Sequence, residues 1–457
     1  MKNIQQILSS QREFYNSQCT KNPSFRKEQL KKLYDIVKLH EKDILDALAK
    51  DFGKPQFEGY ATEVGFVLSE IRFHLKNVIK WSAPRGRRGN LLDFFSTAKI
   101  YSEPMGQVLI IAPWNYPFQL LMSPLIGAIS AGNTAIVKPS ELAPSTSSII
   151  FSLISENFDK DYIYCFEGGK EETNELLKLN FDFIFFTGSE KVGRIVMQAA
   201  ANNLCPVCLE LGGKSPCIID KTAPIDLTCK RIAWGKFLNA GQTCVAPDYI
   251  LVHRDISAAI KYGIKKYIIE FYGKDPSDSK DFARIINLHH FNRISNLLDE
   301  KKIFYGGNTN ESDLYISPTI LENITFSDRI MQEEIFGPVL PIIEFTEPEE
   351  IIENVKKFAK PLSFYVFSKS KSFQKKMIQE IEAGNANIND TVMQFANKNL
   401  PFGGKGNSGT GSYHGRQSFE TFSHLKSVNH KSFLIDLPIR YPPYSSIKLN
   451  LIRKLLK

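Results

Sequence analysis

Phe183-Ile-Phe-Phe-Thr-Gly-Ser-Glu-Lys-Val-Gly193 runs from a short apolar block through a glycine turn into a stretch where Val192, Ile195, Val196 and Ala199 recur at helical spacing. Strand, turn and helix in that order are the repeating unit of a parallel sheet. A glycine at such a turn leaves the first N–H groups of the helix open to a phosphate, with no Cβ in the way. Gly188 and Gly193 are not spaced as G-x-G-x-x-G, however, and from this motif alone a plain turn fits equally well. The alternation continues on both sides. Upstream, apolar blocks at 108–111, 134–137 and 162–166 read as companion strands, and a second series follows Glu210 at 249–253, 339–345, 363–367 and 385–389. The expected fold is α/β, with a parallel sheet and a second α/β domain.

Outside these series the patterns differ. Residues 1–82 read as helices, with Leu30, Leu33, Val37, Ile44, Leu45 and Leu48 at helical spacing and no apparent chemistry. A Pro, Gly and Arg stretch beginning at Ser82 reads as a connector to a short extended segment at 98–102. After about residue 400 the chain is glycine-rich and then extended, too short to hold its own core, so it should pack on something else. A literal G-x-G-x-x-G at Gly404-Lys-Gly-Asn-Ser-Gly409 follows Pro401-Phe402 and leads into no helical pattern. It is expected to be a structural loop.

At 457 residues the chain exceeds the size of a single core. Its 43% hydrophobic and 23% charged residues exclude disorder and fibre classes. The net charge of +8 is scattered without basic blocks, which argues against a nucleic-acid partner and suits an anionic cofactor or mere solubility. Seven cysteines spread over the length do not form a disulfide framework, and a reducing compartment is expected. The N-terminus lacks a signal-peptide core, and the apolar run at 120–131 is interrupted by Pro124, so the expected location is cytoplasmic.

Several residues could carry chemistry. Cys244 follows the glycine-containing turn Asn239-Ala-Gly-Gln-Thr, where the backbone can approach a ligand, although a lone cysteine is more often a core residue. Glu210 sits between apolar neighbours before Gly212-Gly213, where desolvation would raise its basicity, unless it pairs with Lys214 or caps a turn. Asn115 stands between Pro113 and Pro117 in a stiff loop, suited to an oxyanion donor or to simple turn chemistry. Lys138 and Glu141 end a strand and could bind ribose or be solvated loop charges. Cys205 and Cys208 have redox spacing, but within a strand their thiols would diverge. His289-His290 reads as a surface pair, and no metal site is expected.

Taken together, Pro113-Trp-Asn-Tyr-Pro117, Val137-Lys-Pro-Ser-Glu141, Phe186-Thr-Gly-Ser-Glu-Lys-Val-Gly193, Leu209-Glu-Leu-Gly-Gly-Lys-Ser-Pro216, Asn239-Ala-Gly-Gln-Thr-Cys244, Glu333-Glu-Ile-Phe-Gly-Pro-Val339 and Pro401-Phe-Gly-Gly404 resemble the aldehyde dehydrogenase superfamily along nearly the whole chain. Gly411-Ser-Tyr-His-Gly415, Ser418-Phe-Glu-Thr-Phe-Ser-His424 and Arg440-Tyr-Pro-Pro-Tyr444 resemble its class 3 branch, which handles fatty and aromatic aldehydes. The resemblance implies NAD(P)-dependent oxidation of medium- or long-chain aliphatic or aromatic aldehydes to acids. Cys244 would be the nucleophile that forms a thioester, Glu210 the general base and Asn115 an oxyanion donor. Lys138 and Glu141 would hold the adenosine ribose, Gly188, Ser189 and Gly193 the pyrophosphate, and Glu334 with Phe336 the nicotinamide end. Tyr116, Trp234 and Thr243 flank these motifs and could line an apolar tunnel or be core packing.

The implied organisation is a Rossmann-type cofactor domain at 1–82 and 104–212, an α/β catalytic domain at 213–398, and a small β oligomerisation segment at 83–103 and 399–440, with a tail at 441–457. A homodimer is implied, with 98–102 and the region after 412 at its interface. Choice between NAD and NADP stays open. So do two other readings: an acylating enzyme that passes the thioester to coenzyme A, and a silent binding protein on the same fold. The tail mixes apolar and basic residues as a membrane-surface helix would, but a solvated end is the favoured reading.

Overall fold

The computed structural model describes residues 2–88 and 96–456. Residues 89–95 of the expected segment 83–103, and residue 457 of the tail, lie outside the described residues.

The central strands of the first sheet are apolar through their middles, as burial on both faces requires, with polar residues only at their ends. Gln107–Ile111, Thr134–Lys138 and Phe183–Thr187 are buried at every position. Gln107–Ile111 pairs in parallel with Thr134–Lys138 on one side and with Phe183–Thr187 on the other. Ile163–Cys165 and Val207–Glu210 extend the two wings, and Gly409–Thr410 closes the outer edge antiparallel to Val207–Glu210. The winding direction therefore reverses between Gln107–Ile111 and Phe183–Thr187. A crevice opens beyond the carboxyl ends of strands at such a reversal.

One face of this sheet, with Val108, Ile110, Phe183, Phe185 and Cys208, packs against the helices Pro23–Leu39, Glu41–Phe52, Gly65–Ser82 and Gln119–Ala131. The other face, with Leu109, Ile111, Ile184 and Phe186, packs against Val196 and Ala200 of the helix Glu190–Ala201. The expected apolar stripe on that helix is corrected here: Val192 and Ile195 are about two-fifths exposed. Val196 of that stripe does face inward, beside Gly193 and Ala200, and Ala199 packs partly buried against the same core. A Cβ on Gly193 would lie 2.7 Å from Leu211, so close packing at the glycine sets which face turns in.

The second sheet has the order Ile303–Tyr305, Thr319–Leu321, Val339–Phe345, Tyr249–His253, Pro216–Ile219, Ser363–Phe367 and Asn385–Ile388. All pairings are parallel except the first. Its core joins Ile232, Phe237, Ile260, Ile264 and Ile268 from the helices Ile225–Phe237 and Ser257–Tyr272 to the strand residues Ile250, Val252, Tyr365 and Val366.

The expected connector is partly a strand, since Arg85–Arg87 pairs with Ser96–Pro104. Ser96–Pro104 pairs in turn with Ser423–Lys431, antiparallel over nine residues from Ser96↔Lys431 to Pro104↔Ser423. Phe419 and Phe422 bury into the first core, which is how the late glycine-rich segment finds its packing. The literal glycine motif at 404–409 leads into no helix. Gly404 lies so close to the Ser408 carbonyl that a Cβ would fall 1.9 Å from it, and only glycine closes the loop. All seven cysteines are free. Cys205 lies before the strand rather than in it, and Cys205 and Cys208 fall in separate clusters on opposite faces of the sheet. Among the described residues no helix is long and apolar enough to cross a membrane.

Candidate active site

Three turns meet at the mouth of the first sheet. The strand Gln107–Ile111 runs into the loop with Asn115, Phe183–Thr187 runs into Gly188, and Val207–Glu210 ends on Glu210 itself. The fourth contribution comes from the second sheet's side. The helix Ile225–Phe237 stops at a tight turn in which Asn239 and Ala240 take φ of 53° and 49°, followed by Gly241 at 73°. Left-handed backbone at two successive non-glycine residues is strained and persists only where the surroundings impose it. Here Asn239 Nδ2 donates to Asn115 O at 2.9 Å and to Gln242 O at 3.1 Å, and Gln242 Nε2 donates to Asn239 O and Arg284 O. Tyr365 Oη donates to the Val245 carbonyl on the far side of Cys244. The thiol is thereby held at a fixed place between two cavities.

The first cavity, about 320 Å³, is the crevice at the reversal of the sheet. Asn115, Thr187, Gly188, Ser189, Glu210, Gly212, Cys244, Glu334 and Phe336 line it, with Trp114, His290 and Arg293. Glu210 is 2% exposed, and among the described residues neither carboxylate oxygen has a hydrogen-bond partner. Burial pushes its carboxyl well above the ordinary range. The expected pairing with Lys214 is not made: Lys214 Nζ bonds Asp248 Oδ2 at 2.5 Å and the carbonyls of Ile330 and Glu333. Burial, then the charges of Glu334 and Glu210, push the Cys244 thiol up to about 12. Asn115 is buried, and its Nδ2 donates to Gln242 O at 3.0 Å. Ser189 caps the helix Glu190–Ala201 by accepting from Val192 N.

Glu334, pushed up to about 8 by burial, rests against Gly212, where a Cβ would fall 2.2 Å from its Oε2. Phe336 takes φ of 48° and packs edge-on to Trp114 at 5.3 Å. The segment is braced from below by Asp248 Oδ1, which accepts from Ile335 N at 2.9 Å, and by Arg293, which donates to Glu334 O and Ile335 O. Lys138 is buried and pairs with Glu141 at 2.5 Å, while Glu141 remains half-exposed. Both stand at the carboxyl end of Thr134–Lys138, on the crevice side of the sheet.

The second cavity, about 260 Å³, opens on the other side of Cys244 and is lined largely by apolar groups. Tyr116, Trp234 and Thr243 line it together, with Phe66, Leu120, Val392, Met393 and Phe395. The Tyr116 hydroxyl and Thr243 Oγ1 lie 2.7 Å apart. Phe66 and Phe395 stack at 5.1 Å, although nothing in their local sequence marked them. His290 is corrected from a surface residue to a wall of the crevice: its ring packs on Trp114 at 4.9 Å, and burial lowers it to about 4. Among the described residues no group of three or more His, Cys, Asp or Glu is placed to hold a metal.

The crevice fits a dinucleotide on its own evidence. It lies at the reversal of a doubly wound sheet, is lined by Gly188 and Gly212, and keeps the buried hydroxyl of Thr187 without a partner among the described residues. This fold and this crevice define a dinucleotide-dependent oxidoreductase with an apolar cavity for its second substrate. Residues 2–428 match the model of the aldehyde dehydrogenase family. The chain is 50% identical over 443 residues, 96% of each protein, to a 4,4'-diaponeurosporen-aldehyde dehydrogenase of Staphylococcus aureus. It is 48% identical to aldehyde dehydrogenase family 3 member A2 of Macaca fascicularis, over 93% of this chain and 88% of that protein. To the dimeric NADP-preferring aldehyde dehydrogenase of Canis lupus familiaris it is 44% identical, over 97% and 98%. A solved structure described as the substrate-bound state of Staphylococcus aureus AldH superposes with a TM-score of 0.98 at 49% identity, over 99% of both chains. The chain belongs to the aldehyde dehydrogenase family, and its activity is NAD(P)-dependent oxidation of aldehydes.

Proposed function

We propose that Cys244 is the nucleophile of this oxidation, that Glu210 activates the water that hydrolyses the resulting thioester, and that Asn115 stabilises the oxyanion between these steps. The observation that carries the reading is the position of Cys244, which lines both the dinucleotide crevice and the apolar cavity. A carbonyl carbon brought up through the apolar cavity meets the thiol at the wall the two spaces share. The Cys244 sulfur attacks that carbon, and its proton passes to water. The Asn115 amide uses one N–H on Gln242 O, which leaves the second for the carbonyl oxygen as it gains charge. NAD(P), when bound, supplies the hydride acceptor, and Glu334, Phe336, Gly188, Ser189, Gly193, Lys138 and Glu141 would hold it. Loss of hydride from the carbon leaves a thioester on Cys244. Glu210, with no partner for either oxygen, is then free to take a proton from water.

The apolar lining beside Tyr116, Trp234 and Thr243 supports medium- or long-chain aliphatic or aromatic aldehydes as substrates. Initial rates with a series of aldehydes of rising chain length and with benzaldehyde test this, and a preference for acetaldehyde would contradict it. An acylating enzyme has no need of an uncommitted buried carboxylate, so acid should form without coenzyme A. We assign residues 1–82 and 104–212 to cofactor binding and 213–398 to the catalytic unit. The segment 83–103 with 399–440 is assigned to assembly of a homodimer. The strand Ser423–Lys431 has a largely exposed surface, which supports that assignment. The reading places the enzyme in the cytoplasm. The helix Ser446–Leu455 exposes Ile447, Leu449 and Leu451. It is read as a solvated end, and co-flotation of the enzyme with liposomes would contradict this.

Glu141 also gives a prediction about the cofactor. An acidic group beside a ribose favours a free 2′-hydroxyl and repels a 2′-phosphate. Glu141→Gln is expected to lower KM for NADP about tenfold relative to that for NAD, on the scale of ~1.4 kcal/mol per factor of ten. Steady-state kinetics with both cofactors check this, and an unchanged ratio would remove Glu141 from the ribose site.

A further inference from the structure

We propose that the buried pair Lys54–Glu63 is a positioning device: it fixes the backbone of the Asn115 loop from below and so aims the Asn115 amide at the carbon that Cys244 attacks. This rests on the oxyanion role given to Asn115 above. Sequence patterns show no chemistry in residues 1–82, yet three ionisable side chains from that region lie directly beneath the site. Lys54 and Glu63 are 2.5 Å apart, with both side chains wholly buried. Lys54 Nζ donates to Asn115 O at 3.3 Å and stands 4.4 Å from the centre of the Tyr116 ring. The other oxygen of Glu63 accepts from Phe118 N at 3.0 Å and Gln119 N at 3.3 Å. One ion pair thus grips the loop at 115 and again at 118–119, where the helix Gln119–Ala131 begins.

The opposite side of the loop is held by the Cys244 turn. The Asn115 carbonyl accepts from Lys54 and from Asn239, while the Asn115 side chain donates to Gln242 O. Both loops of the site therefore close on a single peptide group, and Lys54 supplies its one charged contact. Glu63 lies in the π-helical turn Tyr60–Val64. Such turns are uncommon and concentrate at functional sites. Two buried charges are costly to keep where apolar side chains would pack as well, so the pair needs a reason beyond stability. Glu58 is the third member. Burial pushes its carboxyl up to about 7 against the opposing charge of Lys54, while the direct ion-pair contact of Lys54 is with Glu63.

The test uses the charge-neutral double variant Lys54→Met/Glu63→Gln, which strands no single charge. It is compared with Asn115→Ala and with the triple variant, by the rate of the first NADH burst at saturating aldehyde and NAD. The double variant is expected to slow the burst about 100-fold, the range seen when one oxyanion donor is lost. NAD affinity and the rate of Cys244 alkylation by iodoacetamide should stay within about threefold, since neither needs the Asn115 amide. The triple variant should be no slower than the slower parent, because both changes remove one interaction. A wild-type burst in the double variant, or a triple loss equal to the product of the two, would overturn the inference. A wild-type burst in Asn115→Ala would instead overturn the oxyanion assignment itself, and the positioning role with it. If the double variant does not fold, Glu63→Gln, which keeps an acceptor for Phe118 and Gln119, is expected to slow the burst about tenfold. An unchanged burst there would also overturn the inference.

Discussion

Cys244→Ala is expected to lose aldehyde oxidation by a factor on the order of 10⁴ or more in kcat/KM, while cofactor binding persists. The size follows from the site having no substitute. Among the described residues, no other cysteine lines either cavity, and Cys208 packs in the core on one face of the sheet. Alanine leaves the turn intact, because the left-handed residues Asn239 and Ala240 are held by Asn115, Gln242 and Arg284 rather than by the thiol. The same residue should show a pH signature in the cofactor-free enzyme. A thiol pushed up to about 12 holds little thiolate at neutral pH. Its alkylation should therefore accelerate by about tenfold per pH unit between 7 and 9. A Cys244→Ala enzyme that keeps its rate, or a wild-type thiol alkylated at a pH-independent rate, would contradict the account.

Glu210→Gln is expected to separate the two halves of the reaction. The burst of NADH should survive at one equivalent per site, because thioester formation does not need a base on the water. Steady turnover should fall about 10³-fold, within the range for loss of a general base in a water-excluded site. The sign of the pH dependence follows from the raised carboxyl of Glu210. Its basic form is gained as pH rises, so wild-type hydrolysis of the thioester should quicken upward through neutral pH, and the variant should lose that dependence. Rapid-quench and stopped-flow absorbance measurements over pH 6 to 9 read both quantities. A variant that turns over normally, or one that loses the burst as well, would remove Glu210 from the hydrolytic step.

The sheet strands are legible because burial on both faces demands short, mainly apolar runs, and 249–253, 339–345 and 363–367 appear in the structure with those limits. Helix faces were less so. Val192 and Ile195 look like core by spacing, but the close approach of Gly193 to Leu211 turns another face inward. At the site, Cys244, Glu210 and Asn115 could be singled out because each sits beside glycine or proline that fixes a turn. The residues beneath them carried no such punctuation. Lys54 and Glu63 look like ordinary surface charges of a helical stretch, and their partners, Asn115 O and the N–H groups of Phe118 and Gln119, are backbone atoms more than fifty residues away. His290 was misread for the same reason, since its wall position depends on Trp114 from a distant loop.

The central claim, a thioester on Cys244, is open to direct observation. Glu210→Gln enzyme mixed with NAD and hexanal, quenched in acid within the burst and digested, should yield the Cys244 peptide carrying an added acyl group, the mass of the aldehyde less two hydrogens. An unmodified Cys244 peptide after a full burst, or the acyl group on another residue, would contradict it.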